Sequence, residues 1–459
     1  MAEFPGDRGG DDQPRSVTEG DAARQAAVGQ SAGSRLLDVA AAVLTLSLLS
    51  PLLLVRAALA VLRERRLFDT VECVGRHRTP FRRLRFAGDF WLSSLAVWVN
   101  VLRGEMAVVG PRPLSMDESR SVPDLAGARF GVSPGLISPY AVRRQVGIAH
   151  ESEYSIDAEY ARQRSLPNDL GLIARWSLAR MIGGDGKPRS IPETLSFFGI
   201  PMSNTTMPNA IDWIIASSAP GEPGQQVAFV NPDCLNIAWR DAAYKRVLCG
   251  ADRVFPDGIG IRIGGQMLGW GLRDNVNGTD MFPLLCEAAA ESGRSLFLLG
   301  ARPGIAAAAA DAMQTRFPRL EIAGTRDGYF SGDDETQVIQ SINASGASIL
   351  LVAFGAPRQE MWIARHRASL TVPIAMGVGG LFDFYSGRIP RAPVWMREMG
   401  LEWVFRLMQE PGRMWRRYVI GNPLFLFRVW RQAKHPERFK LPEGAERRAL
   451  AVPLESPNT

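Results

Sequence analysis

The sequence predicts an α/β protein: a mostly parallel sheet covered by helices in the C-terminal half, preceded by a smaller, mainly helical domain carrying a re-entrant membrane hairpin. Three observations predict it. Beyond residue 195, short apolar runs alternate with helical patterns, as expected of parallel strands joined by helices. Near the other end, Val39 to Val55 is an uncharged apolar run interrupted by Ser50-Pro51. Between the two, Gly183 to Pro192 gathers turn formers and charges, which marks 184–194 as a linker. A chain of 459 residues with 46% apolar content is long enough for two compact domains.

Residues 1–33 hold hardly any large apolar side chain and are expected to form a disordered tail, as is 441–459 with its prolines. The apolar run that follows the first tail is membrane material. Its 17 residues reach only about 25 Å as a helix, short of a hydrocarbon core of about 30 Å. Arg35 precedes it and Arg56, Arg63, Arg65 and Arg66 follow it, which favours a hairpin over 36–62 with both ends cytoplasmic. The alternative is a buried core helix. No cleavage site of a secretory signal follows. The expected location is the cytoplasmic face of a bacterial inner membrane, with the chain monotopic or re-entrant.

In the domain beyond the linker, strands are expected at Val227 to Val230, Ser295 to Leu299, Leu320 to Ala323, Ile349 to Phe354 and Pro373 to Met376. Helices are expected at Asp233 to Leu248, Thr279 to Ser292, Gly304 to Phe317, Glu335 to Ala344 and Gln359 to Leu370. Asn231, Asp257, Gly300, Gly355 and Gly377 to Gly380 all follow apolar runs, and the carboxyl ends of parallel strands are where such sheets bind ligands. A carboxylate between Val254-Phe255 and two glycines is displayed with little bulk around it. Asp257 is therefore a candidate general base, the competing reading being a cap or Asx turn before a helix.

The net charge of +6 fits lipid and sugar-nucleotide phosphates as well as nucleic acid, and nothing else in the chain points to nucleic acid. Four cysteines without C-x-x-C pairing and four scattered histidines signal neither disulfides nor zinc. No G-x-G-x-x-G follows a strand with a properly spaced acid, which sets dinucleotide-dependent oxidoreductases aside. From Arg388 to Arg431 arginines outnumber acids and are interleaved with Trp395, Trp403, Trp415, Trp430, Phe425 and Phe427. Guanidinium forks suit pyrophosphate, while the same segment suits an anionic lipid surface.

Val230-Asn231-Pro232-Asp233-Cys234-Leu235-Asn236, Pro256-Asp257-Gly258-Ile259-Gly260, Asn277-Gly278-Thr279-Asp280 and Phe354-Gly355-Ala356-Pro357-Arg358-Gln359-Glu360 stand in one order. With Leu298 to Gly304, Asp327 to Phe330, Gly377 to Gly380, Arg391-Ala392-Pro393 and Gly400 to Pro411, they resemble the WecG/TagA/CpsF glycosyltransferases over 195–435. The resemblance implies a Rossmann-like domain moving a sugar from a UDP-sugar to a polyprenyl-linked glycan acceptor, with inversion and without a metal. It implies Asp257 as catalytic base and a basic, aromatic C-terminal segment that meets membrane lipid. Asn231, Asn277, Thr279, Gly300, Gly355, Gln359 and Glu360 are the candidate donor contacts, and Arg406, Arg413 and Arg416 the candidate phosphate ligands. Thr279 or Asp280 is expected to cap the following helix. Many relatives carry Thr two residues before the Asn of the first motif; here that residue is Phe229.

Residues 34–183 resemble a second family, the bacterial sugar transferases that load a sugar phosphate onto polyprenyl phosphate. Ser34-Arg35-Leu36-Leu37-Asp38, Asn100 to Met106, Val109-Gly110-Pro111-Arg112-Pro113, Pro134-Gly135-Leu136 and Asp157 to Tyr160 carry that resemblance. Such enzymes read Leu-Asp-Glu-Leu-Pro-Gln before the Asn-Val-Leu motif, the Asp being the nucleophile. Here the segment is Leu92-Ser93-Ser94-Leu95-Ala96-Val97, without either carboxylate. A hydroxyl lacking a base is a poor nucleophile, so this domain reads as degenerate. Arg112 is a possible phosphate ligand and Glu105 a metal or structural residue, each against the reading of ordinary domain glue. Three functions stay open at this point: one glycosyltransferase centre, a bifunctional enzyme, or a membrane scaffold without catalysis. Donor sugar, acceptor glycan and homo-oligomer formation are not legible.

Overall fold

The computed structural model describes residues 32–88, 93–149, 151–183, 188–219, 221–222 and 224–441. Both expected tails (apart from 32, 33 and 441) and 184–187 of the expected linker lie outside them. The chain divides into two compact units, one of 1–142 with 151–174 and the other of 143–150 with 175–459.

In the first unit, helices Ala32–Leu48 and Ser50–Glu64 meet at a bend of 72°. Pro51 sits in the first turn of the second helix, where its missing N–H is tolerated. Among the described residues no single helix is long and apolar enough to cross a membrane. Leu36, Leu44, Leu48, Leu54 and Leu62 are nonetheless exposed. The Arg35 and Asp38 of the opening motif anchor the pair. Arg35 donates to the carbonyls of Val101 and Leu102 at 2.7 Å each, and Asp38 accepts the Val108 N–H at 2.7 Å. This unit is mainly helical, as its sequence suggests, with two small strand pairs besides. Strands β1 (Phe68–Val74) and β2 (Pro80–Phe86) form an antiparallel hairpin, and the short β3 (Ala107–Val109) and β4 (Gly135–Ile137) pair in parallel.

The second unit opens with the hairpin β5 (Thr194–Phe197) and β6 (Ile200–Ser203), turned at Phe198-Gly199 with both residues at positive φ. Its sheet has six strands: β7 (Gln225–Val230), β8 (Arg253–Pro256), β9 (Ser295–Gly300), β10 (Glu321–Arg326), β11 (Ile349–Ala353) and β12 (Ile374–Gly377). All pair in parallel, in the order β10-β9-β11-β12-β7-β8. Strand alternation builds the two faces. Val227 and Phe229 of β7, with Leu296 and Leu298 of β9, pack under helices Met207–Ser217, Gly278–Ser292 and Ile305–Arg316. Ala228 and Val230 face the opposite side with Tyr244, Leu248 and Phe425. The alternate residues of β9, Phe297 and Leu299, join Val352, Val338 and Trp362 in a further cluster.

The five expected strands are present. The stretch expected as one helix from Asp233 to Leu248 is two, Pro232–Ala238 and Ala242–Gly250. The Asp241 carboxylate accepts the N–H groups of Ala243 and Tyr244, and that cap restarts the chain in a new direction.

Candidate functional site

The cleft of the second unit lies beyond the carboxyl ends of β7 and β8. It encloses about 150 Å³ and is lined by Asn231, Asp257, Gly258, Asn275, Thr279 and Arg406, among others. Each glycine of the Asp257 motif has its own cause. The Asp257 N–H donates to the Val230 carbonyl at 2.9 Å, continuing the ladder past Pro256. Gly258 then takes φ +94°, and a side chain there would meet open space, so glycine serves the dihedral. Its N–H donates to Asn275 Oδ1 at 2.7 Å. Gly260 serves proximity instead, because a Cβ there would stand 2.5 Å from Pro232 Cγ.

Asp257 is thus held by backbone on both sides. Burial pushes its carboxyl above the ordinary carboxylate range, while Arg406, Arg417 and a hydrogen bond from Asn231 pull it back. Asn231 also caps Pro232–Ala238, its Oδ1 accepting the Asp233 and Cys234 N–H groups at 3.1 and 3.2 Å.

The next wall is built by Asn277, which caps Gly278–Ser292. Its Oδ1 accepts the Asp280 N–H at 2.8 Å, and its Nδ2 donates to the Asp280 carboxylate at 2.7 Å. The cap is therefore Asn277, neither Thr279 nor Asp280. Asp280 instead pairs with Arg391 at 2.6 Å and Arg397 at 3.6 Å. The Thr279 carbonyl accepts the Tyr385 hydroxyl at 2.7 Å.

The C-terminal helices supply the positive charge. Arg406 lies 4.6 Å from the centre of the Phe384 ring, and its Nε is buried without a hydrogen-bond partner. Arg417 sits 3.5 Å from Asp233 and lines the cleft together with Arg397. Arg413 and Arg416, expected beside Arg406, are both exposed and do not line it. Glu410-Pro411 ends the helix carrying Arg406, and a π-helical turn at Arg416–Ile420 rotates the next stretch, so a helical face does not carry through.

A family profile described as glycosyl transferase WecG/TagA/CpsF matches residues 195–439, more than half of the chain. The chain belongs to the WecG/TagA/CpsF glycosyl transferase family. Two relatives are each named N-acetylglucosaminyldiphosphoundecaprenol N-acetyl-β-D-mannosaminyltransferase. The one from Bacillus subtilis is 30% identical over 247 residues, 54% of this chain and 95% of the relative. The one from Bacillus spizizenii is 35% identical over 206 residues, 45% of this chain and 79% of the relative. A second profile, bacterial sugar transferase, matches residues 89–182.

Within this WecG/TagA/CpsF glycosyltransferase, four other expected contacts lie away from the cleft lining. Gln359 Oε1 accepts the N–H groups of Gly355 and Gly379 at 3.0 and 2.9 Å, and Gln359 Nε2 donates to Glu360 at 2.7 Å. Glu360 is fully buried, with Tyr244 O–H at 3.4 Å, and burial raises its carboxyl. These two residues tie β11 and β12 to the neighbouring helices. Gly300, at φ +124°, leaves no room for a Cβ, which would stand 2.6 Å from the Ala353 carbonyl oxygen. Gly355 turns at φ +78° beside open space. Phe229 is core, its ring centre 5.8 Å from that of Phe255.

In the first unit three of the expected site residues, Ser93, Glu105 and Arg112, are held by protein partners. Ser93 is buried and its Oγ accepts from Arg85 Nε at 2.9 Å, a partner that cannot take a proton. Ser94 is exposed. Glu105 accepts from Asn100 Nδ2 at 2.6 Å, and the same Asn100 binds the backbone of Leu84 and Arg82. Arg112 is engaged by Glu153 at 2.7 Å and Glu118 at 3.1 Å. Deeper, Arg129 and Asp157 pair at 3.0 Å with 2% and 0% exposure, and burial pushes the Asp157 carboxyl up to about 7. Breaking one side of such a pair strands the other charge. Arg129→Met is therefore expected to destabilise this unit by about 3–5 kcal/mol, measured by chemical denaturation.

Proposed function

We propose that the protein transfers a sugar from a UDP-sugar to a sugar carried on polyprenyl diphosphate, with inversion, in building an exopolysaccharide, capsule or related envelope glycan. The observation that carries this reading is one cleft holding a base candidate at a strand end, Asp257, and arginines from the C-terminal helices, Arg406 and Arg417. The names of the two relatives support a polyprenyl-diphosphate acceptor and a hexosamine-type donor.

In the reaction, the acceptor hydroxyl attacks the anomeric carbon as Asp257 takes its proton, and the bond from that carbon to the diphosphate oxygen breaks. The electron pair leaves with UDP, whose growing negative charge is met by the guanidinium groups. Arg406 and Arg417 both line the cleft, where their guanidinium groups can meet such an anion. Among the described residues no group of three His, Cys, Asp or Glu is placed to hold a metal ion, and this reading assigns charge neutralisation to arginine. The bent helix pair, with its exposed leucines, would lie in the cytoplasmic leaflet of the inner membrane, close to a lipid-borne acceptor.

The full-length protein, incubated with UDP-sugars and a polyprenyl-diphosphate-linked N-acetylglucosamine, is expected to release UDP only when the acceptor is present. Ser93→Ala is expected to leave that rate unchanged. Release of UMP with polyprenyl phosphate alone would show a working first domain and overturn the single-centre reading.

A further inference from the structure

Residues 143–149 fall inside the region matched by the bacterial sugar transferase profile, yet they fold with the glycosyltransferase unit. Val146 and Ile148 line the Asp257 cleft. Three contacts fix the segment there. Arg143 meets the buried Glu398 at 3.0 Å, and Arg175 meets its other oxygen at 2.8 Å. Glu398 is the neighbour of the cleft residue Arg397. Arg262 Nη1 donates to the Gln145 carbonyl at 2.9 Å. Gly147, at φ +76°, presses against Asn275 so closely that a Cβ would stand 2.8 Å from Asn275 Cβ. Asn275 is the residue that accepts the Gly258 N–H, one position after Asp257.

We propose that 143–149 is a working wall of the glycosyltransferase site, with Gly147 a positioning residue for the Asp257 loop and Ile148 an apolar contact for the acceptor. The inference rests on the function proposed above. Val146 and Ile148 give the cleft uncharged side chains, and Gly147 meets Asn275, which holds the Gly258 N–H next to the base; an acceptor approaching Asp257 would meet this apolar wall. The Bacillus subtilis relative is matched nearly end to end by 247 residues, a span too short to run from Arg143 to Phe439. The wall lies outside the residues that the glycosyl transferase profile matches, 195–439, and inside those that the bacterial sugar transferase profile matches, 89–182.

Steady-state constants of the full-length protein test it, with acceptor and donor varied separately. Gly147→Ala introduces both a strained dihedral and a collision with Asn275, and is expected to lower kcat by about tenfold, the cost of a misplaced base, with donor KM unchanged. Asn275→Ala is expected to reproduce that loss, and the double variant to lose little more than either single one. Ile148→Ala, on a half-buried side chain, is expected to raise acceptor KM by about fivefold with kcat and donor KM unchanged. Should Gly147→Ala fail to fold, the isoleucine variant decides alone. Wild-type constants in folded Gly147→Ala and Ile148→Ala proteins would overturn the proposal. A wild-type enzyme without acceptor-dependent UDP release would instead overturn the proposed function, and this wall with it.

Discussion

Asp257→Asn is expected to lower turnover by about 10²–10⁴-fold, the usual contribution of a positioned general base, while substrate binding changes little. The substitution keeps the shape of the side chain and the hydrogen bond geometry around it, so the loss reports the missing base. Stability should move the other way. Because the folded protein raises this carboxyl above its ordinary value, it binds a proton that the unfolded chain has already released, and stability falls as pH rises through that window. Above the window the folded state carries a poorly solvated charge that Asn removes. A slightly higher Tm at neutral pH, alongside near-zero UDP release, is the expected pair of results. A variant that kept wild-type turnover would remove Asp257 from the mechanism.

Arg406→Gln is expected to lower kcat by about 10²–10³-fold, as when one preorganised donor to a developing anion is removed. It carries a second signature. Arg406 is the largest favourable charge acting on Asp257, so its loss lets burial raise that carboxyl further. The base must be ionised to act, and activity therefore fails as pH falls. In the variant that acid limb is expected at higher pH than in the wild type, measured as kcat/KM against pH. Arg406→Lys keeps the charge without the planar fork and is expected to restore the pH limb more fully than the rate.

The parallel sheet is legible in the sequence because its strands are nearly continuous apolar runs separated by helix-length segments, and the motif around Asp257 is legible because two glycines beside a carboxylate are rarely placed without cause. The hairpins β1–β2 and β5–β6 are not. Phe-Arg-Arg-Leu-Arg-Phe in β2 has two adjacent arginines that break the period of two, and nothing in β5–β6 announces that Phe198 will accept positive φ. Gln359 and Glu360 mislead for a related reason. Polar residues just inside a helix next to a glycine loop read as ligand contacts, yet side-chain direction is set by packing, and here both turn inward to satisfy backbone and each other. Arg406 lines the cleft as its sequence context suggests, whereas Arg417 takes the place expected of Arg413 and Arg416. Choosing among them requires the helix break at Glu410-Pro411 and the π turn after Trp415, neither of which leaves a periodic trace.

The order in which the chain is made gives the arrangement of the cleft a further consequence. Asp257 and all six strands are complete by Gly377, but Arg406 and Arg417 are translated afterwards, on helices beyond the last strand. Domains fold as units while synthesis proceeds from the N-terminus. A nascent sheet would therefore display the proposed base well before it held the arginines assigned to the diphosphate. On the proposed reaction, a chain cut short before Arg406 is expected to hold Asp257 without the guanidinium groups, and so to release no UDP.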